Sequence, residues 1–547
     1  MINSPGKISC LTGSLALGLG LVLAPVSFAQ ETPRNLVPSF EETEKPVEKG
    51  ADFGQPQQPR LIPERPSLKS PVPGGNETEG SLVVEQLGAL HPGSIGLIGD
   101  ADGGFGARMW HGTPAERAAR LLEIMQPAST SQPMKDLYRR LLLTGAALPA
   151  KDAYADRILD LRLEKLQEAE LIDDALSLAS RMQERTLTAE RRKSIAELNL
   201  LAGKTEDSCR MLQKNSGLEN ADPFWIKLDS FCLILKNEID RAELSVALLE
   251  EQGVNDPGFF ALFAKLAGDK IPVSIDTETR TPLHVAMMKA AELEVAAVDP
   301  LTAYAEQLAN AADEKDALKK AQLLFDLWGE AFQKGHYYVV SKASLDSLMA
   351  LAPADYGFDF NLEAVKVLLL HARGNEAAEW ERVIRRTASQ GSNTERLQGH
   401  KNVSRLDVYM LLSGVNAIAR WQSSSFGDWL RATEGEPDQG MKTTFLISML
   451  DVFGYPVDNE SWDALIFLPQ DLEEAVSNHA FESSLIRAAS RQHVGETVAL
   501  SLLALGEDGP SEATVTTLTA VAAALKAIGL EEEARQLVLE AAIDRKL

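Results

Sequence analysis

Basic residues are scarce in this chain: 54 Lys and Arg stand against 79 Asp and Glu, a formal net charge of −25. No basic stripe occurs, which argues against a nucleic-acid partner, because such binding draws on clustered cations that release counterions from phosphates. Aromatic residues make up only 6%. Cysteine occurs three times in 547 residues, too few for a disulfide-rich scaffold or a zinc module with CxxC pairs. The complete signatures of HExxH metalloenzymes, Walker loops and Ser-His-Asp hydrolases are missing as well. Beyond the first 30 positions no apolar run has the length of a membrane span. These absences leave an acidic protein with no cofactor implied.

The N-terminus carries what the rest lacks. Lys7 supplies a positive n-region, Leu15 to Leu23 an apolar h-region, and Ser27-Phe28-Ala29 a small-x-small cleavage site. Residues 1–29 therefore read as a signal peptide cleaved after Ala29, and a bacterial periplasm is the expected location. Cys10 precedes the h-region, which disfavours a lipid anchor. Residues 30–80 hold nine of the 26 prolines and few large apolar side chains. Such a stretch buries too little surface to offset its ordering entropy and is expected to be a disordered linker.

Residues 81–112 form a glycine-rich segment. Within it "GSIGLIGDADGGFGARMWHGT" (93–113) has seven glycines. Gly103, Gly104 and Gly106 lack the spacing of a phosphate loop. Asp100 and Asp102 begin like a calcium loop without its later oxygen ligands, and His91 and His111 have nothing to fix them on a metal. The segment is expected to dock: glycines let extended chain lie close to helices, while Leu97, Ile98, Phe105, Met109 and Trp110 bury themselves on the first hairpins and cap the open end of the array.

From Thr113 to residue 547 one amphipathic helix follows another, so the expected fold class is all-α. Thr113-Pro114-Ala115-Glu116 reads as a capping box, with Ala118, Leu121, Leu122 and Met125 as the buried stripe of the first helix. At the far end Leu518, Val521, Leu525 and Ile528 line a helix stopped by Gly529. Glu531 to Glu533 open the last helix, whose stripe is Ala534, Leu537, Val538 and Ala541. Hinges at Gly203-Lys204, Lys236-Asn237 and Gly268-Asp269 are spaced about 34 and 31 residues apart, and Gly374-Asn375 looks similar. Irregular segments near 269–281, 389–403 and 433–441 are expected to divide the array.

Stretches such as "AELNLLAGKTEDSCRMLQK" and "NLEAVKVLLLHARGNEAAEWERVI" resemble tetratricopeptide repeats, whose period is about 34. The resemblance covers residues 153–268, 360–388 and 512–545. It implies a degenerate helical-hairpin solenoid and no binding residues, since the family's Trp-Leu-Gly-Tyr positions are not regularly filled. The whole is also similar to exported helical-repeat proteins of Gram-negative bacteria. "TPLHVA" (281–286) matches the ankyrin signature but stands alone. It reads as an N-cap Thr, an N1 Pro and a helix running on through Met287 to Val295. "FESSLIRAAS" (481–490) resembles the Glu-Ser motif of lytic transglycosylases, with Glu482 as the acid. Their downstream motifs are absent and too little chain follows for the catalytic domain, so Glu482 is expected on a helix surface.

Cys209 and Cys232 lie on successive helices at nearly equal distances from the turn at 215–223. Across an antiparallel hairpin they should face each other, and an oxidising compartment would join them. The functional expectation is a non-catalytic periplasmic scaffold that binds a protein or peptide partner in the envelope. The alternative is a cell-wall glycan enzyme or its accessory subunit.

Overall fold

A computed structural model describes residues 92–547 except 128–130, 149–152, 185–186, 215–221, 271, 274, 276–278, 294–299, 416–420, 437 and 457–478. The expected signal peptide, linker and residues 81–91, including His91, lie outside the described residues. Among the described residues the protein is all-α: 23 helices, no strand, one isolated bridge between Ile98 and Thr144. Contacts group Val84–Leu547 as one compact unit.

Helices α1 to α4 are Ala115–Ile124, Gln132–Leu143, Ala153–Glu168 and Ile172–Ser180. Helices α5 to α10 are Ala189–Leu201, Thr205–Lys214, Pro223–Leu235, Ile239–Glu251, Pro257–Leu266 and Pro282–Ala290. Then come α11 (Ala305–Asp313), α12 (Ala317–Gln333), α13 (Tyr337–Ala343), α14 (Leu345–Met349), α15 (Phe358–Leu370), α16 (Gly374–Ala388) and α17 (Asn393–Leu412). The last six are α18 (Ser423–Ala432), α19 (Gln439–Phe453), α20 (His479–Ser490), α21 (Val494–Leu505), α22 (Val515–Ala527) and α23 (Glu531–Asp544).

A 34-residue repeat is visible in the chemistry of α5 to α9. Asp222 caps α7 by accepting from Phe224 N at 2.9 Å, and its carboxylate also takes Lys193 Nζ from α5 at 2.9 Å. Asp256 caps α9 by accepting from Phe259 N at 3.0 Å and takes Lys227 Nζ from α7 at 2.5 Å. Each lysine also lies over the phenylalanine that follows its aspartate, Lys193 on Phe224 and Lys227 on Phe259. Burial alone would raise both carboxyls, yet the lysine and backbone donors hold both below the ordinary value. One Asp-Pro start thus ties each helix to the one two before it. The block closes on itself, because α10 returns to pack on α5. Its core, from Ala196 to Met288, is separate from the main one.

Inside this block Cys209 on α6 and Cys232 on α7 have their sulfurs at bonding distance, 1.94 Å. Asn237 takes the left-handed conformation (φ 61°) between α7 and α8, where the hinge was expected. The Gly374 hinge is displaced: Ala372 takes the left-handed turn (φ 55°) and Gly374 is already helical. Glycine suits position 374 for another reason, since a Cβ there would lie 2.7 Å from Val415 Cγ2.

Other expectations need correction. Residues 393–403 are helix: Ser392 and Glu395 form a capping box that starts α17 inside the segment read as irregular. The helix after Thr281 ends at Ala290, short of Val295, although Thr281 caps it and Pro282 stands in its first turn as expected. Thr113 does not cap α1. The N-cap is Pro114 without a side-chain bond, and the Thr113 hydroxyl donates to Glu496 on α21 at 3.1 Å.

That bond marks the main departure from a simple linear array. The last helices return to the first: α21 packs on both α1 and α2, and α23 packs on α2, α15 and α17. Ala118, Leu121, Leu122 and Met125 share one core with Leu518, Val521, Leu537 and Val538. Arg140 on α2 pairs with Glu533 on α23 at 2.5 Å. Ser131, the N-cap of α2, donates to Glu540 at 2.6 Å.

Candidate functional site

The described part of the glycine-rich segment, residues 92–112, lies against helices from early and late in the described chain. Leu97 N donates to Leu143 O at 2.8 Å and Ile98 bridges to Thr144, so both sit at the end of α2. Gly96 is obligatory for this approach, because a Cβ would stand 2.1 Å from Gly145 N. Phe105 N donates to Thr144 Oγ1 at 3.1 Å, and the Arg140 guanidinium lies 4.5 Å above the Phe105 ring. Leu97, Ile98 and Phe105 are half-buried. Met109 and Trp110 are buried, but their neighbours include Gly495 of α21 and not only the first hairpins. Gly495 N donates to Met109 O at 2.9 Å. The segment therefore does not cap an open end. It wedges between the first helices and α21.

Two side-chain clusters fasten it. Arg162 of α3 is buried without a carboxylate partner, and burial pushes its guanidinium down to about 10. It donates to four carbonyls: Leu142 at 2.5 Å, Ile95 at 2.7 Å, and Gly93 and Thr144 at 3.3 Å. Glu496 of α21 is buried and accepts from Thr113, from Arg117 Nε at 2.5 Å, and pairs with His493 Nδ1 at 3.2 Å. Asp100, Asp102 and His111 are exposed. No group of three or more His, Cys, Asp or Glu arranged to hold a metal occurs among the described residues.

Glu482 sits in the first turn of α20, half-buried and with one carboxylate oxygen shielded from solvent, so it is not the open surface residue expected. His371 and Ser341 form one Ser–His contact, Nε2 to Oγ at 2.9 Å. Ser341 is completely buried, out of a substrate's reach, and burial with the nearby Lys342 charge pushes His371 down to about 4. A cavity of about 610 Å³ beside α12 and α15 contains Glu363, Lys366 and Tyr409. Two of its charges pair with each other, Lys366 Nζ meeting Glu363 at 2.9 Å, and Tyr337 also donates to Glu363 at 2.5 Å.

The candidate site lies between α15, α16 and α17, in a cleft of about 480 Å³. Gly399 lets α17 approach the end of α16, since a Cβ there would lie 2.4 Å from Ala388 O. Ile384, Ala388 and Phe358 give the cleft an apolar wall. Its neutral polar groups are Asn361, Thr387, Gln390, Gln398 and Asn402. Gln398 donates to Asn402 Oδ1 at 3.1 Å. Asn361 is 1% exposed and its Oδ1 has no hydrogen-bond partner. A buried acceptor left unpaired costs about 1–3 kcal/mol, so its presence asks for an explanation.

Sequence reasoning passed over this cleft. The signal was there: in "DFNLEAVKVLLL", Asn361 keeps helical phase with Val365 and Leu368, both fully buried. A carboxamide on a core stripe is the residue that periodicity flags. Gln398 and Asn402 carry no such mark, because their place in the same cleft as Asn361 depends on how α17 packs on α15.

Compared with models of known protein families, with curated proteins and with solved structures, the chain matches none.

Proposed function

We propose that this chain is a non-catalytic scaffold of the bacterial periplasm, built of degenerate tetratricopeptide-like hairpins, that binds a protein or peptide partner. The observation that carries the reading is the carboxamide-lined cleft between α15, α16 and α17. Surfaces formed where helical hairpins stack are the usual binding sites of such proteins, an argument from fold analogy. The 34-residue spacing of the Lys193–Asp222 and Lys227–Asp256 ties supports the repeat reading. Two cysteines at disulfide distance fit an oxidising compartment, and no helix among the described residues is long and apolar enough to cross a membrane.

The test is photo-crosslinking in the native envelope, with a benzophenone amino acid at Gln398 and, in a separate variant, at exposed Leu244 of α8. A discrete partner protein is the expected product. A cleared zone on a peptidoglycan zymogram would overturn the non-catalytic reading. N-terminal sequencing of the envelope protein should begin at Gln30, and a start at Met1 would overturn the location.

A further inference from the structure

We propose that the α15–α16–α17 cleft binds an uncharged, extended peptide segment by its main chain, with Asn361 Oδ1 as the acceptor for a backbone N–H. This rests on the scaffold reading above and names the chemistry of its partner.

The lining decides the class of ligand. None of the twelve lining residues is Lys, Arg or His. A phosphate or carboxylate would find no counter-charge here and is disfavoured by the two acidic residues present. Those two are already engaged. Asp355 Oδ1 accepts from Gly357 N at 3.1 Å, and Glu395 Oε2 accepts from Ser392 N at 2.6 Å in the α17 capping box. Thr387 Oγ1 donates to Val383 O, and what remains is four carboxamides, Asn361, Gln390, Gln398 and Asn402, of which Gln398 donates to Asn402 Oδ1. Each carries a carbonyl acceptor and an NH₂ donor, the same pair of groups a peptide bond presents in reverse. Phe358 and Ile384 supply apolar contact for small side chains. The volume is that of an ordinary ligand pocket.

Asn361 gives the inference its direction. Its oxygen is an acceptor, so the missing partner is a donor. Asn361 lines the cleft yet is 1% exposed, whereas Gln390 and Gln398 of the same lining are exposed, so a ligand reaches its oxygen only when lining side chains move aside. Without a donor the acceptor is a standing cost. A ligand N–H removes that cost on binding, which makes the residue unfavourable for stability and favourable for recognition.

The two effects separate experimentally. Full-length protein is titrated with an equimolar pool of acetylated, amidated tetrapeptides, read by saturation-transfer NMR, and with chitobiose as a neutral saccharide. The wild type should bind peptides from the pool. Asn361→Leu, of similar volume, should lose at least about tenfold in affinity while its melting temperature stays equal or rises. Gln398→Ala should weaken the same peptides while leaving Asn361 in place. Peptide binding unchanged by Asn361→Leu, a fall in its melting temperature, or binding of chitobiose in place of peptides would each overturn the proposal. The crosslinking above distinguishes the two levels. A partner captured from Leu244 but not from Gln398 leaves the scaffold standing and removes this site, whereas no partner from either removes both.

Discussion

The indole of Trp110 lies against Gly495: a Cβ on that glycine would stand 2.9 Å from the indole Cε3 and 2.9 Å from Met109 Cγ. The two residues come from distant parts of the described chain, and Trp110 fits in this place because position 495 carries no Cβ. Trp110→Ala should cost about 3–5 kcal/mol, as for a buried large-to-small change. Gly495→Ala would gain up to about 1 kcal/mol of helix propensity. Overpacking against a rigid ring costs more, about 1–3 kcal/mol, so the net change should be destabilising. Hydrogen exchange should show α1, α2 and α21 opening together in both variants. Loss of protection confined to residues 92–150 would refute the coupling.

Arg162 should be hard to replace. Arg162→Met strips four carbonyls of their donor and should destabilise by about 2–4 kcal/mol, with limited proteolysis appearing first near residues 93–107. Arg162→Lys keeps the charge but has three donors on one atom, in place of a planar fork. It should recover only part of the loss. Full recovery by lysine would mean that charge, and not the fork, holds the segment.

Labelling of the unfolded, non-reduced protein should find Cys209 and Cys232 blocked. Reduction should destabilise the α5–α10 block by about 3 kcal/mol on the chain-entropy account of a loop this size. The main core should change little, because neither cysteine belongs to it. Reactive thiols at both positions in protein taken from the envelope would exclude the bridge.

Stability should depend on pH in two opposed ways. Burial, with Asp544 nearby, raises Glu540 to about 7 from 4.5, against the Ser131 bond and Lys135. Between those values the folded state keeps a proton that the unfolded state releases, so this group's stabilisation is full below about 4.5 and lost as pH rises through 7. His371 behaves inversely: held near 4 when folded, it costs stability as pH falls from 6.5 toward 4. Glu540→Gln should therefore gain on the wild type by on the order of 3 kcal/mol between pH 4.5 and 7. Denaturation midpoints of the two proteins that stay parallel across this range would rule out the assignment.

Much of the helical plan could be read from local chemistry. Thr281 with Pro282, Gly529, and the stripes beginning at Ala118 and Ala534 follow from rules that act within one or two turns. The facing of Cys209 and Cys232 follows from hairpin symmetry alone. Thr113 shows where such rules stop. Its spacing to Glu116 is that of a capping box, but Glu496 competes for the same hydroxyl from nearly four hundred residues away. The cleft fails to show for the same reason, since Asn361 and Gln398 come to line one cleft only through the packing of α17. Trp110 was legible as a buried anchor, while the identity of its seat was not.

The return of α21 and α23 onto α1 and α2 sets an order of events during synthesis. When the first two helices emerge, α3 soon covers part of them, but α21 and α23, which complete their burial, are still hundreds of codons away. The α5–α10 block, complete by residue 290 and closed by α10 on α5, has all of its contacts in hand much earlier. Contacts of such long sequence separation are slow to form and leave sticky surface open in the meantime. A ribosome paused or a chain cut before α21 should thus release not a shortened protein but one folded island attached to first helices whose apolar faces are only partly covered.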